Sequence, residues 1–149
     1  MMFRKNILVI DDEKDFCFFL KKNLEATGVF HVMVASHPDT GIRMAKRGVP
    51  DVVLLDICMP SRDGFSVLEI LKKDIRTVSI PVIMLTAMED DIYRKRASLL
   101  YGDGYIVKPV SYKKLFEEIE RVSGDQDVSR TGRWTLTRIK RRWRWWTWR

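Results

Sequence analysis

The chain has 149 residues, the length of one ordinary domain plus a short extension, and its 46% hydrophobic and 32% charged content is that of a globular protein. These values exclude a wholly disordered or collagen-like chain, and no apolar run reaches the roughly 18 residues of a membrane-spanning helix. The net charge of +7 is unevenly placed: residues 1–122 carry 19 Lys and Arg against 18 Asp and Glu, whereas residues 123–149 carry 8 against 2. All five tryptophans, Trp134, Trp143, Trp145, Trp146 and Trp148, lie in that second segment. A nearly neutral body at 1–122 is thus followed by a linker and a basic, Trp-rich tail at 123–149, too short to be an independent domain.

Cys17 and Cys58 have no framework of spaced partners, which predicts reduced thiols in a cytoplasmic protein. The apolar run after the first residues meets Asp11 too early for a signal peptide, so no export is expected.

In chain order, Ile7–Ile10 is a continuous aliphatic run ending in Asp11-Asp12-Glu13, the pattern of a strand buried on both faces. Phe16, Phe19, Leu20 and Leu24 then recur at helical steps up to Gly28, predicting an amphipathic helix with a glycine at its end. Strands follow at Phe30–Ala35, Val52–Leu55, Val82–Leu85 and Tyr105–Val107. Between and after them, helices are expected at 38–46, 64–73, 90–100 and 112–122. Regular alternation with wholly apolar strands predicts an α/β fold, a doubly wound parallel sheet with helices on both faces and right-handed crossovers. In such a sheet ligands bind beyond the carboxyl ends of the strands.

Polar groups gather at those ends: Asp11 and Asp12 after the first strand, Asp56 after the third, Thr86 after the fourth and Lys108 after the fifth. A lone aspartate there is most simply a solvated loop residue. Three together repel one another and need a compensating cation. The donors are all oxygen, so a hard ion fits, and few carboxylates completed by water favour Mg²⁺. A partly filled Mg²⁺ shell beside Lys108 and the Thr86 hydroxyl would accept a phosphoryl group, and Asp56, ionised at neutral pH without a general base, is the natural nucleophile.

Four segments in register carry a resemblance: Ile7–Glu13, Asp56-Ile57-Cys58-Met59-Pro60 with Asp63-Gly64, Leu85-Thr86-Ala87, and Tyr105-Ile106-Val107-Lys108-Pro109. Residues 5–122 resemble the receiver domain of two-component response regulators, the chemotaxis-regulator fold. The resemblance implies a flavodoxin-like strand order 2-1-3-4-5. It implies that Asp56 takes a phosphoryl group from a phosphohistidine on a sensor histidine kinase, that Asp12, Asp56 and the Cys58 carbonyl bind Mg²⁺, with Asp11 holding metal-bound water, and that Lys108 contacts the phosphoryl oxygen. It further implies a switch through Thr86 and Tyr105, output to an effector or dimer partner through the surface of helix four, strand five and helix five, and a cis Lys108-Pro109 bond.

Other features stand beside that resemblance. Tyr101 occupies a position the family often leaves as glycine, which predicts an altered turn before the last strand. Cys58 and Met88 stand two residues after Asp56 and Thr86, at positions that the resemblance implies align the water attacking the acyl phosphate. Neither is a strong hydrogen-bond partner, which predicts slow loss of phosphate; simple packing of both is the competing reading. Phe18, among Lys14, Lys21 and Lys22, is expected to be exposed. The resemblance implies that a histidine kinase or phosphotransfer domain contacts helix one, which makes Phe18 a candidate docking anchor; a singly exposed apolar residue without a role is the competing reading. His31 and His37 match no metal spacing. Two other function classes are weighed: a regulated nucleic-acid- or anionic-membrane-binding module acting through the tail, and an aspartyl-phosphate phosphatase. The phosphatase would need a second acid two residues after the nucleophile, where Cys58 stands.

Overall fold

The computed structural model describes residues 4–124. Five strands and five helices alternate: β1 (Lys5–Ile10), α1 (Lys14–Ala26), β2 (Phe30–Ala35), α2 (Pro38–Gly48), β3 (Val52–Asp56), α3 (Gly64–Lys73), β4 (Val82–Thr86), α4 (Asp91–Leu99), β5 (Gly104–Val107) and α5 (Tyr112–Gly124). All strand pairings are parallel, in the order β2-β1-β3-β4-β5. The predicted doubly wound sheet and its order are both present.

Alternation along the strands explains the continuous apolar runs. Leu8, Ile10, Val53, Leu55, Val82 and Met84 face one cluster with α2, α3 and α4, through Ile42, Ala45, Phe65, Leu68, Leu71 and Ala97. Ile7, Val9, Val52, Leu54, Ile83 and Leu85 face a second cluster with α1 and α5, through Cys17, Leu20, Leu24, Leu115 and Ile119. With helices on both faces, neither side of a central strand can be polar.

Helix α1 departs from the expected stripe. Its buried residues are Cys17, Leu20 and Leu24, whereas Phe19 is 58% exposed. At about 100° per residue, Cys17, Leu20 and Leu24 share one face, and Phe19 falls well off its centre. Phe18 is exposed as expected, at 53%, and its ring meets Phe19 edge to face at 5.5 Å. Thr27 ends the helix and Gly28, at φ 78°, takes the left-handed position anticipated for it.

The end of α4 is closed by a Schellman arrangement: the Gly102 amide donates to the Ala97 carbonyl at 2.8 Å and the Tyr101 amide to the Ser98 carbonyl at 3.1 Å. Tyr101 itself sits at φ 64°, the left-handed conformation glycine adopts without strain. The turn is thus formed with a tyrosine where a glycine would cost less. Beneath it, the nearly buried Lys72 ammonium ties α3 to the approach of β5, lying 2.8 Å from the Ile80 carbonyl and 3.1 Å from Asp103 Oδ2. The proposed linker and basic tail fall almost wholly outside the described residues.

Candidate functional site

Parallel register brings the strand ends to one edge. Asp11 and Asp12 follow β1, Asp56 ends β3 opposite Leu85 of β4, and Thr86 ends β4 opposite Val107, one residue before Lys108. Asp11, Asp12 and Asp56 each offer a carboxylate oxygen within 4.8 Å of the others. Asp11 and Asp56 are both buried.

Lys108 enters this cluster from the β5–α5 turn, just before a cis bond to Pro109. Its ammonium donates to Asp11 Oδ2 at 2.8 Å and lies 3.6 Å from Asp56 Oδ1 and 3.8 Å from Glu13 Oε2. Burial alone would lower the Lys108 value, but the hydrogen bond and charge of Asp11, followed by Asp56 and Glu13, leave it raised, so the lysine is fully charged. One ammonium does not balance the cluster. Burial first, and then the charge of Asp11, push the Asp56 carboxyl up to about 6 against the opposing pull of Lys108.

Residual negative charge over an all-oxygen donor set is the condition a hard divalent cation satisfies, and the three carboxylates fit one. Competing nucleophiles are quiet: burial, then the charge of Asp11, push the Cys17 thiol up to about 12. Burial, then Asp56, raises the exposed Cys58 as well. Both thiols stay protonated at neutral pH, when Asp56 is mainly ionised.

The loop after β3 is held by backbone geometry. Asp63 Oδ1 accepts from the Phe65 amide at 2.7 Å, capping α3, and the Gly64 amide donates to the Ile57 carbonyl at 2.8 Å. A Cβ on Gly64 would overlap the Asp56 carbonyl oxygen and stand 2.7 Å from Ile57 Cα. This close approach requires glycine and packs the start of α3 against the backbone of Asp56 and Ile57.

Thr86 is buried, and its hydroxyl accepts from the Met88 amide at 3.0 Å. The Tyr105 hydroxyl donates to the Met88 carbonyl at 2.9 Å, and Arg94 stacks over the Tyr105 ring at 5.2 Å. Thr86 and Tyr105 therefore fasten the same residue from two strands. The Met88 side chain is 43% exposed and Cys58 is exposed too, so neither is a core-packing residue. Two neighbours escaped the sequence reading: Glu13, within 3.8 Å of Lys108, and Phe16, whose ring centroid lies 4.2 Å from the Lys108 nitrogen. Their proximity to Asp11-Asp12 was the available signal. His37 caps α2, accepting from the Asp39 amide at 3.3 Å, and His31 stands 3.7 Å from Glu25; neither is part of the carboxylate group.

The model of the response regulator receiver domain matches residues 7–120. The chain belongs to the response regulator receiver domain family. Its class is that of the phosphoacceptor in two-component signalling. A probable transcriptional regulator ycf27 of Guillardia theta is 37% identical over 119 residues, 80% of this chain and 45% of that protein. The alkaline phosphatase synthesis transcriptional regulatory protein PhoP of Bacillus subtilis is 30% identical over 125 residues, 84% of this chain and 51% of that protein. This receiver thus spans about half the length of the curated relatives it matches. Among solved structures, a CheY-like receiver domain protein of Methanospirillum hungatei superposes with a TM-score of 0.77 at 27% identity, covering 83% of this chain and 97% of its own. Among the described residues no helix is long and apolar enough to cross a membrane.

Proposed function

We propose that Asp56 is the phosphoacceptor of this receiver, working in a Mg²⁺-dependent reaction, and that Asp11, Asp12, Asp56 and the Cys58 carbonyl provide the metal site. Support comes chiefly from the triad of carboxylates within 4.8 Å, with one ammonium 3.6 Å from Asp56. Bound there, Mg²⁺ supplies positive charge that relieves carboxylate repulsion and neutralises the phosphoryl oxygens. An Asp56 oxygen attacks phosphorus and forms the new P–O bond. The bond from phosphorus to the donor's imidazole nitrogen breaks, and its electron pair leaves with the ring. Asp56 needs no base, because it is already ionised at neutral pH. Lys108 shifts from Asp11 towards a phosphoryl oxygen, and Thr86 turns its hydroxyl from the Met88 amide to the same group.

Loss of the Thr86 contact loosens Met88, to which Tyr105 is also bound, and this coupling carries the switch to the surface of α4, β5 and α5. That surface is the output face for an effector or a dimer partner. The donor is a sensor histidine kinase or phosphotransfer domain docking on α1, where exposed Phe18 and Phe19 stand with Lys22 4.8 Å from the Phe18 ring. Such a switch belongs in the cytoplasm, with its reduced thiols.

The chemistry is tested by incubating the full chain with acetyl phosphate and Mg²⁺ and reading intact mass. A single phosphoryl adduct that needs Mg²⁺ and is absent in Asp56→Asn is the expected result; equal uptake by the variant contradicts the assignment.

A further inference from the structure

Phe16 lies in the first turn of α1, where its ring is half-buried against the cluster formed with α5. Its other face meets Lys108, whose nitrogen stands 4.2 Å from the ring centroid. The Lys108 side chain is only 12% exposed, so its ammonium has lost most of its water. Of the three carboxylates around it, Asp11 at 2.8 Å is within hydrogen-bond distance, while Asp56 at 3.6 Å and Glu13 at 3.8 Å are not.

The aromatic face completes this cradle. Its quadrupole attracts the cation and offsets lost hydration, yet it offers no localised lone pair to hold an N–H. A leucine here would leave a desolvated charge against hydrocarbon. An acid would hold the ammonium and compete with any entering anion. We propose that Phe16 is a positioning residue for phosphoryl uptake: its ring keeps the Lys108 ammonium at the gap between Asp11 and Asp56, where a phosphoryl oxygen takes it over. This rests on Asp56 being the acceptor. Nothing in it requires Phe16 to touch the phosphoryl group, because the ring acts through Lys108.

The test compares the full chain with Phe16→Leu and Phe16→Met, which remove the ring, and Phe16→Tyr, which keeps it. Uptake from acetyl phosphate at fixed Mg²⁺ should slow roughly three- to tenfold in both ringless variants and stay within about twofold of the parent in Phe16→Tyr. By NMR of the unmodified protein, the Lys108 side-chain protons should show a ring-induced shift in the parent and Phe16→Tyr that is lost in the ringless pair. In a Lys108→Ala background, Phe16→Leu should slow uptake no further, because the ring then has no cation to act on. Parent-like uptake by both ringless variants, or equal slowing without Lys108, overturns the proposal. A parent that takes up no phosphoryl group contradicts the acceptor assignment instead, and unchanged Lys108 shifts in the ringless pair then overturn the positioning role by themselves.

Discussion

Lys108 is hydrogen-bonded to Asp11 at 2.8 Å while Asp56, the proposed acceptor, is 3.6 Å away. The ammonium is therefore held beside Asp56 without a hydrogen bond to it. It also leaves the Asp56 charge incompletely balanced, which has a measurable consequence.

With divalent cations removed, Asp56→Asn should raise the thermal midpoint at pH 7.5 by a few degrees. The Asp56 carboxyl is raised in the fold to about 6, by burial first and Asp11 second, above its ordinary value of 3.8. A raised acid favours the fold while protonated: that contribution is complete below the unfolded value and is lost as pH rises through the folded one. The gap between variant and parent should accordingly be small at pH 3.5, widen up to pH 6 to 7 and then level. A gap that does not change with pH would show that Asp56 bears no such charge penalty.

Gly64→Ala should cost about 2–3 kcal/mol in denaturant unfolding and slow phosphoryl uptake, because the added methyl meets the backbone of Asp56 and Ile57, which cannot swing aside as a side chain can. Gly48→Ala is the control. Its methyl would meet only Met33 Cε at 4.0 Å, so it should be neutral or gain up to about 1 kcal/mol. Equal effects at the two positions would remove the close-approach argument.

Tyr101→Gly should gain about 0.5–1 kcal/mol, the relief of left-handed strain at φ 64° less the added freedom of glycine in the unfolded chain. Equilibrium unfolding checks this directly, and a loss of stability would mean that the tyrosine side chain contributes more than its backbone costs.

Phe18→Ala should leave uptake from acetyl phosphate and the thermal midpoint nearly unchanged, since the ring is 53% exposed. Transfer from the partner kinase should fall about tenfold if the ring is a docking anchor. Unaltered transfer would place the docking surface elsewhere.

The sheet was legible because β1, β3 and β4 carry apolar runs, the first followed by Asp11 and the others ending in Asp56 and Thr86, so period and punctuation agree. Gly28 announced its own left-handed turn, whereas Val49 at φ 41° and Tyr101 at φ 64° did not, because neither residue type favours that conformation. The expected α2 accordingly stopped at residue 46, short of its observed end at Gly48. Around α1 the three- and four-residue recurrence of Phe16, Phe19, Leu20 and Leu24 marked a stripe, but the face centred on Leu20 and Leu24 buries Cys17 and leaves Phe19 exposed. Phe16 was legible as apolar but not as a neighbour of Lys108, since the contact joins residues 92 positions apart through the sheet order.

The most direct measurement of the acceptor assignment is chemical trapping. The chain is phosphorylated with acetyl phosphate and Mg²⁺, reduced with borohydride so that an acyl phosphate becomes an alcohol, and sequenced by mass spectrometry. Homoserine is expected at Asp56 and at no other acid of the cluster. Homoserine at Asp11 or Asp12 with Asp56 intact would contradict it.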